Sequence, residues 1–178
     1  MKRIVVILCL LTLVCSSVYA QKISDGSFKV LSVPQKIDLE IDFDSGLYKG
    51  LTFEELVNAV CPGVNSQKDW EIKAGSLRGK FMHYLIERIA PKGYMVGSYK
   101  NGEATYRLTM KINYVSPQGD VSANYIISEI STGNKVVEFY DTSEGGMFGT
   151  FMNLFGDGLT DAGDRIGKFI IKQIRRSK

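Results

Sequence analysis

The hydrophobic period of this chain changes twice, and those changes restrict it to a fold that mixes strands with helices. Between Ile37 and Asp44 apolar and acidic residues alternate strictly: Ile37, Leu39, Ile41 and Phe43 on one face, Asp38, Glu40, Asp42 and Asp44 on the other. A period of two predicts a half-buried strand. From Trp70 the period lengthens, with Trp70, Ala74, Leu77, Phe81, Leu85 and Ile89 at steps of 4, 3, 4, 4 and 4. That is the apolar stripe of a core-facing helix. At Tyr106 alternation resumes, setting Tyr106, Leu108, Met110, Ile112 and Tyr114 against Thr105, Arg107, Thr109, Lys111 and Asn113.

Punctuation between these segments sharpens the reading. Ser116-Pro117-Gln118-Gly119-Asp120 and Thr132-Gly133-Asn134 have turn composition, so Tyr106–Tyr114, Val121–Ile130 and Val136–Tyr140 predict an antiparallel meander. Phe28–Val33 predicts a shorter strand that Pro34 ends. Thr52 and Glu55 fit a capping box opening a short helix to Val60, which Pro62 and Gly63 stop. A last helix carries Ala162, Ile166, Ile170 and Ile174 with Phe169 beside them. Gly163 and Gly167 sit inside it, each costing about 1 kcal/mol relative to alanine, which predicts a close approach of this helix to the sheet. The expected fold is α+β: an antiparallel β-meander sheet of four to six strands with two main helices packed on one face.

The N-terminus predicts export. Met1-Lys2-Arg3 is basic, Ile4–Val14 is apolar over 11 positions apart from Thr12, and small or polar residues follow to Val18-Tyr19-Ala20. This is the plan of a secretory leader. As a helix the apolar run spans about 16 Å, too short for a hydrocarbon core of ~30 Å. The expected division is a cleavable signal peptide, 1–20, and a single α+β domain, 21–178, starting at Gln21. A lipidated alternative would use Cys15, but Val14 stands where a lipobox takes a small residue. The expected location is periplasmic or extracellular, with envelope association included.

Removal of the leader leaves a chain close to neutral, because losing Lys2 and Arg3 from 22 basic residues leaves 20 against 19 acidic ones. That balance argues against a nucleic-acid partner, which requires a basic field on one face. Only Cys61 remains once Cys9 and Cys15 go with the leader, so no internal disulfide is available and core packing must hold the domain. Cys61 itself reads as a small apolar filler.

Catalytic chemistry finds little to work with. His83 is the only histidine and reads as a partly exposed helix residue. No HExxH, CxxC, GxSxG or nucleotide fingerprint occurs. One histidine and one cysteine do not make a usual zinc or copper site, and no cofactor or metal is expected. Asp38, Glu40, Asp42 and Asp44 are spaced about 6.6 Å along a strand, too widely for neighbours to share a calcium ion. They read as a solvated outer face, and the chain as a non-enzyme.

The segment from Gly145 to Gly158 is the candidate for function. Five glycines alternate with Met147, Phe148, Phe151, Phe155 and other large apolar residues, and no charge precedes Asp157. Either these aromatics tuck beneath the sheet, or the segment is an apolar loop that engages a partner, a ligand or a membrane surface. The basic end of the last helix, Lys172, Arg175, Arg176 and Lys178, reads as complementing the helix dipole. The sharper alternative is an amphipathic membrane helix.

From Leu77 to Ile174 the succession LRGKFMHYLIERIAPKGY, ATYRLTMKINYV, GDVSANYIISEISTGNKVV and GDRIGKFIIKQI resembles a known envelope type. It is similar to the periplasmic α/β domains of the curli-secretion lipoprotein and penicillin-binding-protein-activator lipoprotein families, and to exported proteins of the Bacteroidetes type. Tyr106, Thr132-Gly133, Val136 and Val137 match their plan of helix, strand, turn, strand and closing helix. The resemblance implies a non-catalytic accessory or partner-binding protein of the bacterial envelope, with an envelope protein or a second copy as partner. The alternative function is a small-ligand or lipid-binding exported protein using 145–158. Candidate contacts are Met147, Phe148, Phe151 and Phe155.

Overall fold

The computed structural model describes residues 21–99 and 102–177. The leader, with its cleavage site and Cys15, lies outside the described residues.

Strands β1 (Lys22–Gly26), β2 (Lys36–Asp42), β3 (Leu47–Tyr48), β4 (Met95–Gly97), β5 (Tyr106–Val115), β6 (Val121–Glu129) and β7 (Lys135–Ser143) form one sheet in the order β1-β7-β6-β5-β2-β4, with β3 on the far end of β5. The β5–β6–β7 meander follows the predicted turns, with Met110 opposite Tyr125 and Tyr125 opposite Phe139. The sheet is not wholly antiparallel, however, and has seven strands where four to six were expected: β2 pairs in parallel with both β4 and β5. The reason is the crossover. The chain leaves β2, returns through α1 (Phe53–Val60) and α2 (Ser66–Ile89), and reaches β4 running in the β2 direction.

Interior placement alters the acidic row as well. Asp38, expected on a solvated face, is 7% exposed. Its carboxylate accepts from Arg107 Nε at 2.8 Å and from the Tyr99 backbone N–H at 2.9 Å. Phe28–Leu31 is a 3₁₀ turn, not a strand. Ser27 caps it, and the i, i+3 pair Phe28 and Leu31 is buried, at 1% and 0%, while Val30 stays 42% exposed; alternation would have buried Val30 instead.

The helices follow their stripes. Thr52 and Glu55 make the reciprocal capping box of α1, and Trp70, Ala74, Leu77, Phe81, Leu85 and Ile89 of α2 are all buried. Cys61 is buried as the filler expected. The last helix, α3 (Phe151–Arg176), begins eleven residues before the first periodic position assigned to it, capped by Thr150. Its stripe extends back through Leu159 and Phe155, so half of the glycine-rich segment is helix.

Gly156, Gly163 and Gly167 of α3 face α2, not the sheet. A Cβ on Gly163 would lie 2.3 Å from the Phe81 carbonyl oxygen, and one on Gly167 would lie 2.5 Å from Arg88 Cβ. Gly156 meets Lys80, so contacts advance along both helices together: α2 and α3 run parallel and finish at the same end of the molecule. Only Gly158 abuts the sheet, 2.0 Å by the same construction from the Gly119 carbonyl oxygen. Gly163→Ala is therefore expected to lower unfolding free energy by about 1–3 kcal/mol, overpacking outweighing its better helix propensity. Gly75, within α2 but with nothing within 4 Å, is the control, and Gly75→Ala should stabilise by about 0.5–1 kcal/mol. Urea midpoints moving in the same direction for both would contradict the close helix contact.

Candidate functional site

Two acidic side chains hold the base of the loop that joins β7 to α3. The Gly145 N–H donates to Asp120 Oδ1 at 2.8 Å and the Glu144 N–H to Asp161 Oδ2 at 2.9 Å. Gly145 presses on the 118–120 turn, where a Cβ would stand 2.0 Å from the Gln118 carbonyl oxygen, and Gly149 takes a φ of 127° that disfavours side chains. Between these fixed points the chain projects Met147 and Phe148, each 86% exposed. Two adjacent large apolar side chains at that exposure form a tip that no described residue covers.

The four candidate contacts separate into three environments. Met147 and Phe148 form the tip. Phe151, in the first turn of α3, is half-buried, with Lys49 Nζ 4.5 Å from its ring centroid and the Phe155 ring 6.1 Å away. Phe155 belongs to the core: it is 0% exposed and packs edge-on against Tyr48 at 5.8 Å and Phe43 at 6.4 Å. Of the two open readings, core anchoring holds for Phe155 and exposure for Met147 and Phe148. Lys49, beside Phe151, was not found by sequence reasoning. Its signal is faint, a lysine in a Tyr-Lys-Gly turn with a φ of 53°.

Neither the tip nor Phe151 nor Phe155 lines any of three surface grooves, the smallest of which, about 420 Å³, is bounded by Tyr84, Arg88, Asp164 and the loop base at Glu144 and Gly145. The largest, about 960 Å³, runs between the end of β2 and the start of α2, with Asp42, Asp44, Trp70, Glu71 and Arg78 among its walls. A second, about 450 Å³, lies where α2 and α3 end and is lined by Arg88, Lys92, Lys168, Ile171, Lys172, Arg175 and Arg176.

Titratable groups sit in structural roles. Burial, followed by the nearby Asp42 and Asp44 charges, pushes the Tyr48 phenol well above its usual range, and its hydroxyl donates to the Phe43 carbonyl at 2.5 Å. Tyr125 is raised mainly by complete burial. His83 is exposed on α2, its Nε2 3.4 Å from Glu87 Oε1. Among the described residues no group of three or more His, Cys, Asp or Glu is placed to hold a metal ion, and no helix is long and apolar enough to cross a membrane. The apolar stripe of α3 is spent on the core, so this helix does not lie in a bilayer on that face.

No family model matches the chain, and no curated protein matches it. Among solved structures it is similar to PelC from Paraburkholderia phytofirmans, described as a dodecamer, at 9% identity and a TM-score of 0.44, over 82% of this chain and 96% of that one. It is also similar to a Xanthomonas campestris protein of the family DUF330, at 12% identity and a TM-score of 0.41, over 82% of this chain and 90% of that one.

Proposed function

We propose that this protein is an exported, non-catalytic accessory protein of the bacterial cell envelope, freed of residues 1–20, which binds a protein partner through the Met147–Phe148 tip. One observation carries the reading: two large apolar side chains, each 86% exposed, project from a loop whose base is fixed by Asp120 and Asp161. A braced base lowers the ordering entropy lost on binding, and a desolvated aromatic anchor contributes about 2 kcal/mol or more to an interface. The leader pattern and the resemblance of Leu77–Ile174 to envelope lipoprotein domains support the location. The partner is an envelope protein or a second copy of this chain. Placement of the tip outside the described grooves favours a protein surface over a small ligand.

The test compares the exported protein with its Met147→Ser/Phe148→Ser variant, both in capture from envelope extract and in self-association by analytical ultracentrifugation. Loss of about 2 kcal/mol corresponds to roughly 30-fold weaker binding, at unchanged thermal stability. Equal capture and equal self-association by the variant would show that the tip is not the interface.

A further inference from the structure

The opposite end of the molecule carries a second surface, which the tip does not use. Because α2 and α3 are parallel, both finish there, and their last turns bring Arg88, Lys92, Lys168, Lys172, Arg175 and Arg176 around a single groove. Among the described residues, the one carboxylate holding any of them is Asp164, bonded to Arg88 and Lys168. Lys92, Lys172, Arg175 and Arg176 are exposed and make no ion pair with a described residue. Two helix C-termini supply about half a negative charge each, far less than these cations. In a chain that is nearly neutral once its leader is removed, this concentrates positive charge at one end, where it attracts an external anion.

The neighbourhood indicates what kind. The 3₁₀ segment crosses beneath the same end: the Phe28 ring meets Phe169 at 5.8 Å, the Tyr94 hydroxyl donates to the Leu31 carbonyl, and Pro34 lies against Gly93. That segment leaves Val30 at 42% and Val33 at 70% exposure, and Ile171 is half-buried within the basic groove. A soluble phosphate would use the cations and leave the valines in water. An anionic bilayer uses both, taking apolar side chains at its headgroup boundary while its surface potential attracts the basic residues.

We propose that this end docks on the surface of an anionic lipid bilayer, with Lys92, Lys172, Arg175 and Arg176 over the phosphate-bearing headgroups and Val33 at the boundary. The attachment is peripheral, because the apolar face of α3 remains packed in the core.

Sedimentation with vesicles tests this. The exported protein is expected to bind vesicles of mixed phosphatidylglycerol and phosphatidylcholine, to leave them as salt rises and screens the charges, and to bind phosphatidylcholine alone far more weakly. Each basic residue near such a surface strengthens partition about fivefold. The triple variant K172Q/R175Q/R176Q should therefore partition about 100-fold more weakly, and Val33→Ser a few-fold more weakly, both with wild-type circular dichroism. Equal binding to the two vesicle types, no binding to either, or undiminished binding by the triple variant overturns the proposal. Complete displacement by millimolar inorganic phosphate would also overturn it, reassigning the groove to a soluble phosphate compound. The Met147→Ser/Phe148→Ser variant should bind vesicles as wild type does, so failure at one end is read independently of the other.

Discussion

Replacing Phe155 by alanine is expected to lower the unfolding free energy by about 3–5 kcal/mol, the range for emptied aromatic core sites. The side chain is fully buried, and its ring fills the space between Tyr48, Phe43 and Phe151 at centroid distances of 5.8, 6.4 and 6.1 Å. Its removal empties a junction where α3, β3 and the end of β2 meet, and α3 is held from moving by its close Gly158–Gly119 approach. Phe148→Ala, seven residues earlier in the same glycine-rich run, should change stability by no more than about 0.5 kcal/mol, as surface substitutions do. Chemical denaturation of the two variants side by side checks the division. Comparable midpoint shifts for both would mean the loop packs onto the domain, leaving no free tip.

Asp141→Ala should be nearly as damaging, at about 3 kcal/mol. Asp141 is 2% exposed in β7 and accepts from Arg165 Nε at 2.9 Å and Nη2 at 2.8 Å, with Gln21 Nε2 at 3.0 Å completing its partners. That carboxylate joins β7 to α3 and to the start of β1. Its loss leaves the half-buried Arg165 guanidinium with the more distant Asp161 Oδ2, 4.0 Å from Nε, as its remaining counter-charge, and breaking a buried pair from one side removes roughly 3–5 kcal/mol. The Arg165 side chain is 31% exposed, so water recovers part of the loss and the expectation sits at the low end. Arg165→Lys should not spare the pair, since an ammonium cannot reproduce the two-pronged contact. A loss below about 1 kcal/mol in Asp141→Ala would show that the pair is dispensable.

Elements with strong local rules were legible in the sequence. The α2 stripe, the Thr52–Glu55 capping box and the β5–β6–β7 meander each depend on neighbours a few residues away, and each stands where its pattern placed it. What was missed depends on distant partners. Nothing within Ile37–Asp44 says that β4 and β5 will flank it in parallel, or that Arg107 will cover Asp38. Phe28–Val33 is short enough for periods of two and three to compete, and burial of Phe28 with Leu31 decided for three.

The glycine-rich run was the hardest to read, because the same residue serves opposite purposes within it. Gly145 and Gly149 shape a loop, whereas Gly156 and Gly158 are helical and mark where Lys80 and the Gly119 backbone press close. The periodicity of Phe151, Phe155 and Leu159 was present, but the run was read as one connecting segment, either tucked beneath the sheet or looped out. Of the four candidate contacts, Met147 and Phe148 are exposed, Phe151 is half-buried and Phe155 is in the core. Of the basic end, Lys172, Arg175 and Arg176 were visible as a cluster read against the helix dipole, but Arg88 and Lys92 come to them only through parallel packing of two helices far apart in sequence.

That packing also has a mechanical consequence. Backbone-to-backbone seating of Gly163 on Phe81 works as a ratchet tooth: sliding α3 by one residue along α2 would drive Asp164 or Ala162 into a space that admits no Cβ. The two helices are thus locked in register as a stiff strut, and the 26 residues of α3 set its length at about 39 Å. A partner held at the Met147–Phe148 end and a surface met by the other end would be kept at a constant standoff, with neither able to signal to the other by helix sliding. Built this way, the helix pair would serve as a spacer and not as a lever.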